Sequence, residues 1–215
     1  MDGLIHNLTQ DPDLTILQWL DMAGVFVFAV SGALTAANKK MDVFGFIVIA
    51  LITAVGGGTL RDLVLDVPVF WLSQPVYVWI TLVAASLTFI FTQTFHRGQN
   101  LFLWFDAIGL SVFCVLGAAK TYAISGDPTI AVMMGVISAV AGGMFRDIIC
   151  NEIPPIFHSE VYATAAFTGA TIFIIASTFG LTPSISMLIG AIAAFALRSA
   201  GILWAWALPK SQGID

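Results

Sequence analysis

A nine-residue motif occurs twice, 85 positions apart, inside apolar sequence. The first copy is Ala54-Val55-Gly56-Gly57-Gly58-Thr59-Leu60-Arg61-Asp62, and the second is Ala139-Val140-Ala141-Gly142-Gly143-Met144-Phe145-Arg146-Asp147. The same offset, without a gap, matches Trp19 with Trp104, Asp21 with Asp106, Gly24 with Gly109, Phe28 with Phe113, Gly32 with Gly117 and Tyr77 with Tyr162. One half of the chain is therefore a duplicate of the other. Each copy sets glycines and an Arg-Asp pair in an apolar stretch, where both are costly unless they are used.

Composition places that duplicate in a membrane. Hydrophobic residues make up 59% and charged residues 10%, with a mean hydropathy of +0.95; a soluble domain carries about 25% charged residues. Eight Lys and Arg are too few for the basic patch that nucleic-acid binding needs. The start is acidic (Asp2, Asp11, Asp13) and has no basic n-region, so no cleavable signal peptide is expected. Cys114 and Cys150 lie in or beside apolar segments and read as buried thiols.

A span needs about 20 mostly apolar residues. Seven segments qualify, over about 15–37, 42–65, 75–95, 101–123, 128–150, 159–180 and 184–207. Short polar breaks separate them, so the expectation is an all-α membrane protein forming one bundle. Lys39 and Lys40 follow span 1, Arg97 follows span 3 and Lys210 follows span 7, all on one side. The positive-inside rule then sets the N-terminus outside and the C-terminus in the cytoplasm. Each repeat holds three spans, an odd number, so the second copy is inverted. The units are 15–95 and 101–180, with span 7 (184–207) outside the repeat.

The glycine runs Gly56, Gly57, Gly58 and Gly142, Gly143 predict kinks in the second and fifth helices, beside a pore. Close helix packing is the alternative for any one of them. Arg61 and Asp62 lie near the outer end of span 2, and Arg146 and Asp147 near the inner end of span 5. Helical neighbours point about 100° apart, so partners are expected on other helices, as Asp21–Arg61 and Asp106–Arg146. These pairs could lock the repeats together or face the permeation path. Thr53 and Ser138 correspond across the repeats and could line a pore or bond back to their own helices. Lys120, whose repeat mate is Thr35, is a gating or mouth charge, or snorkels outward. Arg198 lies deep in span 7 and calls for a carboxylate or a water path. Histidine and cysteine spacing gives no metal or nucleophile constellation, and the Gly-rich run lacks the P-loop spacing and lysine. No enzyme, metal or cofactor is expected.

Two three-span units, each with a Gly-Gly-(Gly)-x-x-Arg-Asp middle helix, plus a seventh helix, resemble the trimeric intracellular cation (TRIC) channel family, prokaryotic branch. Units of this kind are also known as glycine transporter domains. The resemblance covers about residues 15 to 207. It implies a homotrimer with one pore in each protomer, lined by the kinked second and fifth helices and passing monovalent cations (K⁺, Na⁺), chiefly potassium. Animal members have a Lys-Glu-Val run in the fourth helix, linked with voltage dependence; here Thr121 and Tyr122 follow Lys120. Their long basic tail has no counterpart after Lys210, so regulation through it does not carry over. The resemblance implies the inner (plasma) membrane, with the lipid bilayer as surroundings. The alternative function is a secondary transporter of a small solute such as an amino acid, since inverted repeats serve both.

Overall fold

The structure is a computed structural model that describes residues 12–91, 101–157, 161–204 and 206, with side chains from residue 18 onward. Arg97 and Lys210, used above for orientation, lie outside the described residues. The described chain is helical throughout: α1 (Pro12–Asn38), α2 (Val43–Val64), α3 (Val76–Ile90), α4 (Leu101–Ser125), α5 (Pro128–Ile149), α6 (Ala163–Thr178) and α7 (Pro183–Trp204). A single turn, Phe70–Ser73, precedes α3, and a 3₁₀ turn, Pro155–Phe157, precedes α6. Five helices are long and apolar enough to cross a membrane, whereas α3 and α6 are apolar but have 15 and 16 residues.

The duplication is visible in how helices begin and end. Asp42 caps α2 by accepting the Gly45 N–H, and Asp127, its repeat mate, caps α5 by accepting the Thr129 and Ile130 N–H groups. Both helices end on a residue in the left-handed region, Asp66 (φ 52°) and Asn151 (φ 55°). In both, a six-residue backbone bond closes the terminus, Val67 N–H to Asp62 O and Glu152 N–H to Asp147 O.

Helices α1, α2 and α3 pack on one another, as do α4, α5 and α6. The two units meet through the equivalent pairs α1 with α4 and α2 with α5, while α7 packs mainly on α4 and α6. At the first junction the Phe28 and Phe113 rings stack at 5.2 Å. A Cβ on Gly24 would lie 3.1 Å from the Phe113 ring, and one on Gly109 would overlap the Phe28 ring. At the second, a Cβ on Gly57 would overlap the Ser138 carbonyl oxygen, and one on Gly142 would overlap that of Thr53. Each of these four contacts has its mate 85 positions away with the order reversed, so the helices of each pair run antiparallel.

Alanine fills much of the core, including Ala29, Ala33, Ala50, Ala84, Ala118 and Ala170, as close helix packing in lipid requires. Large apolar side chains face outward instead; Phe44 is 73% exposed and Trp79 67%. In lipid, as opposed to water, that surface carries no penalty. Helices α2 and α5 remain α-helical across their glycines, so neither glycine run breaks the hydrogen-bonded ladder.

Candidate functional site: a cavity and two charge clusters

The alternation of helices creates two ends. The end at which α1 begins (the near end) gathers the C-termini of α2, α4 and α6 and the N-termini of α3, α5 and α7. A cavity of about 560 Å³ opens there, with Asp21, Arg61, Tyr77 and Lys120 among its lining and Leu116, Phe173 and Met187 along its apolar wall. Asp62 lies at the centre of the charges and is fully buried. Its Oδ1 accepts from Arg61 Nε and from Lys120 Nζ, each at 2.8 Å, and its Oδ2 accepts the Phe70 N–H at 3.0 Å. The carboxylate thus caps the turn after α2 while binding two cations. The Tyr77 hydroxyl donates to Asp21 Oδ2 at 2.6 Å.

The far end carries the repeat mates, all buried. Arg146 is 1% exposed and Asp106 2%. Arg146 Nη1 donates to Asp106 Oδ1 on α4 at 2.8 Å and to Ser31 Oγ on α1 at 2.9 Å. Its Nε and Nη2 grip Asp147 at 2.7 and 3.1 Å. One guanidinium therefore ties α1, α4 and α5 together. Arg198 of α7 lies over the Tyr162 ring, 4.9 Å from its centroid, and donates to the Val161 carbonyl oxygen at 3.4 Å. At the rim Lys39 pairs with Glu152, joining the α1–α2 turn to the segment after α5.

Several expectations change on these distances. The Asp106–Arg146 pair is present, but among the described residues no ion pair joins Asp21 to Arg61. Arg61 turns to its neighbour Asp62, as Arg146 does to Asp147. The 100° between neighbours did not forbid this, because an arginine stem is long enough to fold back along its own helix. For guanidinium groups as buried as these, the nearest carboxylate wins. Lys120 does not snorkel outward; it reaches into the cavity to Asp62. Thr53 Oγ1 bonds back to the Ile49 carbonyl at 2.6 Å, and Ser138 Oγ accepts from Arg61 Nη1 at 3.4 Å.

None of Gly56, Gly57, Gly58, Gly142 and Gly143 lines the cavity. Gly57 and Gly142 face a neighbouring backbone across the α2–α5 crossing, Gly58 and Gly56 face the rings of Phe70 and Phe145, and Gly143 faces the Tyr162 hydroxyl. The two ends also differ for a reason written in the sequence. The mate of Phe70 is Pro155, which has no N–H to offer Asp147, and the mate of Lys120 is Thr35. Asp147 is left to grip Arg146 with both oxygens. Roles for Ser31, Tyr77 and Tyr162 escaped the sequence reading. The tyrosines were legible as a repeat match only, and Ser31, opposite Leu116, breaks the repeat. Among the described residues no group of three or more His, Cys, Asp or Glu could hold a metal ion.

Comparison with known proteins gives a consistent picture. The glycine transporter family model matches twice, over residues 18–93 and 103–178. A UPF0126 membrane protein of Vibrio cholerae is 40% identical over 92% of this chain and 83% of its own length. The UPF0126 inner membrane protein YadS of Escherichia coli is 40% identical over 90% of this chain and 95% of its own. Among solved structures, the TRIC trimeric intracellular cation channel orthologue from Rhodobacter sphaeroides superposes with a TM-score of 0.84 at 42% identity, covering 89% of this chain and all of that one. A prokaryotic TRIC channel crystallised in 0.5 M KCl gives 0.83 at 29% identity, covering 90% and 99%.

Proposed function

The chain belongs to the TRIC family of cation channels, and on that premise we propose that it is a potassium-permeable monovalent cation channel of the inner membrane, with one pore in each protomer of a homotrimer. The observation that carries this reading is the near-end cavity, which is walled by helices of a single chain and runs inward to charged side chains. A pore shared between subunits would need no such cavity inside one of them. The similarity to channels at TM-scores above 0.8 supports the conducting role.

In this reading all seven helices cross the bilayer, with 15–95 and 101–180 as the inverted units and the far end, bearing Lys39 and Lys40, in the cytoplasm. In this reading any bend at a glycine run keeps the continuous helical ladder of α2 and α5. Asp21 supplies negative potential at the cavity mouth, while Arg61 and Lys120 are both engaged by Asp62. Without a selectivity-filter sequence, preference for K⁺ over Na⁺ is modest.

A second reading, a secondary transporter of a small solute, is favoured by one observation: the cavity opens at the near end while the far-end charges are buried. Purified protein in planar bilayers under a K⁺ gradient separates the two. Discrete unitary currents reversing near the K⁺ potential are expected. Saturable flux of about 1–10³ events per second without unitary steps would establish the transporter instead.

A further inference from the structure

The near-end charges do not pair off evenly, and we infer that the cavity they border binds a zwitterionic amphiphile with a single chain. Its ammonium group lies on Asp21, its anionic group on Lys120 and its chain along the apolar wall. The cluster holds two cations, Arg61 and Lys120, and two carboxylates, Asp21 and Asp62, yet both cations share one oxygen of Asp62. Lys120 spends one of its three ammonium donors there, and its side chain is 34% exposed. Asp21 accepts the Tyr77 hydroxyl and makes no ion pair among the described residues. One ammonium with open donors and one carboxylate without a cation therefore line the same cavity. A ligand with one charge of each sign pairs both and leaves the net charge unchanged. A lone cation or a lone anion leaves one of the two uncompensated.

The wall sets the rest of the ligand. A cavity of about 560 Å³ falls in the size range of small-molecule sites, and like them it joins a mostly apolar lining to a few convergent polar groups. Leu116, one turn further in than Lys120 on α4, forms the apolar side with Phe173, Leu181 and Met187. A small zwitterion would leave that side unfilled, whereas each CH₂ of a chain laid on it adds affinity. Arg61 and Lys120 belong to the last two turns of α2 and α4, and the cavity opens at that end. The polar corner is thus at the depth of lipid headgroups, and the apolar side leads inward from it. A membrane amphiphile enters in that orientation, head at the mouth and chain inside. The far end cannot take the same ligand, because Thr35 replaces the lysine there and Asp106 is already paired with Arg146.

Thermal melting of the protein purified in a non-ionic maltoside, with added lysolipids of one acyl chain length, tests the site. Lysophosphatidylethanolamine should raise the melting temperature at about one tenth of the amount that lysophosphatidylglycerol needs, because the latter carries a phosphate and no ammonium. Asp21→Asn should erase that tenfold difference, and Lys120→Gln should weaken both lipids. Ala119→Trp takes up cavity space and leaves the charges in place, so it should abolish stabilisation by either lipid, and it carries the test where a charge variant does not fold. Equal potency of the two lipids on the wild-type protein would overturn the site. So would a tenfold difference that survives Asp21→Asn, or stabilisation that survives Ala119→Trp. Stabilisation by free leucine but not by lysophosphatidylethanolamine would overturn it too, since the ligand would then be a small solute without a chain.

Seated there, the amphiphile stands in the path proposed above. Lysophosphatidylethanolamine added from the near-end side should therefore cut K⁺ current about tenfold at the amount that stabilises the protein, and the same dose of lysophosphatidylglycerol should not. This block rests on the channel reading, whereas the melting test does not. If the wild type shows no unitary currents, the channel reading fails and melting alone judges the site. Full current in the presence of a lysolipid that stabilises the protein would overturn the block and set the site off the path.

Discussion

Arg146 illustrates how a charge is kept inside an apolar bundle. Its guanidinium spends four donor contacts on Asp106, Ser31 and both oxygens of Asp147. A lone charge at this depth costs about 2.5–3.5 kcal/mol on insertion scales. Truncating Arg146 strands both Asp106 and Asp147, whereas truncating Asp106 leaves Arg146 still held by Asp147. Arg146→Ala should therefore destabilise by about 3–5 kcal/mol and Asp106→Ala by clearly less, with the double variant losing less than the sum. Thermal melts of the detergent-purified protein measure the cycle. Strict additivity, with no coupling above about 0.5 kcal/mol, would show that the contact carries no energy. The sequence could offer Asp106 as a partner because the repeat put two such residues at matching depth. It could not rank a neighbour against a residue on another helix, since side-chain reach and burial decide that, and neither is encoded in spacing.

Among helices, the paired motifs act first as packing. Gly57 and Gly142 let α2 and α5 approach until a single Cβ would meet a carbonyl oxygen. Gly57→Ala and Gly142→Ala should each cost about 1–3 kcal/mol through overpacking. Gly56→Ala should cost less, because its nearest obstacle is the Phe145 ring at 3.1 Å, a side chain that can shift. A Gly57→Ala protein as stable as wild type would sink this account of the crossing. The caps give a second ordering: Asp127 satisfies two N–H groups and Asp42 one, so Asp127→Ala should lower the melting temperature more, each by an amount equivalent to about 0.5–2 kcal/mol. Equal melting of the two variants would remove the ordering. The helices themselves were largely legible, because hydropathy and turn residues fix where each begins and ends. The 85-residue offset was legible too, and it recurs in the mated contacts of α1 with α4 and α2 with α5. Whether a glycine bends a helix or seats a neighbour was not legible, because both need a missing side chain and only the partner backbone tells them apart.

For the whole molecule, what matters is where the path lies relative to the subunits. The cavity is walled by α1, α2, α4, α6 and α7 of one chain, together with Tyr77 of α3, so a plug placed in it belongs to one protomer. Ala119 lines it from α4, half-buried and away from the charged cluster's hydrogen bonds. A tryptophan there would take up part of a cavity of about 560 Å³. Ala119→Trp should therefore abolish current through its own protomer and leave assembly intact, checked by the size of the purified oligomer. In trimers with one, two or three variant subunits, separated by differential tags, three independent pores predict conductance falling by about one third per plugged subunit. A single path on the three-fold axis predicts something else: no loss at all, because the cavity is not on that axis, or an abrupt loss once the subunits crowd it. A graded series in thirds would place the pore inside the protomer. Either of the other patterns would move it to the interface between subunits and leave the cavity as a site for something other than permeant ions.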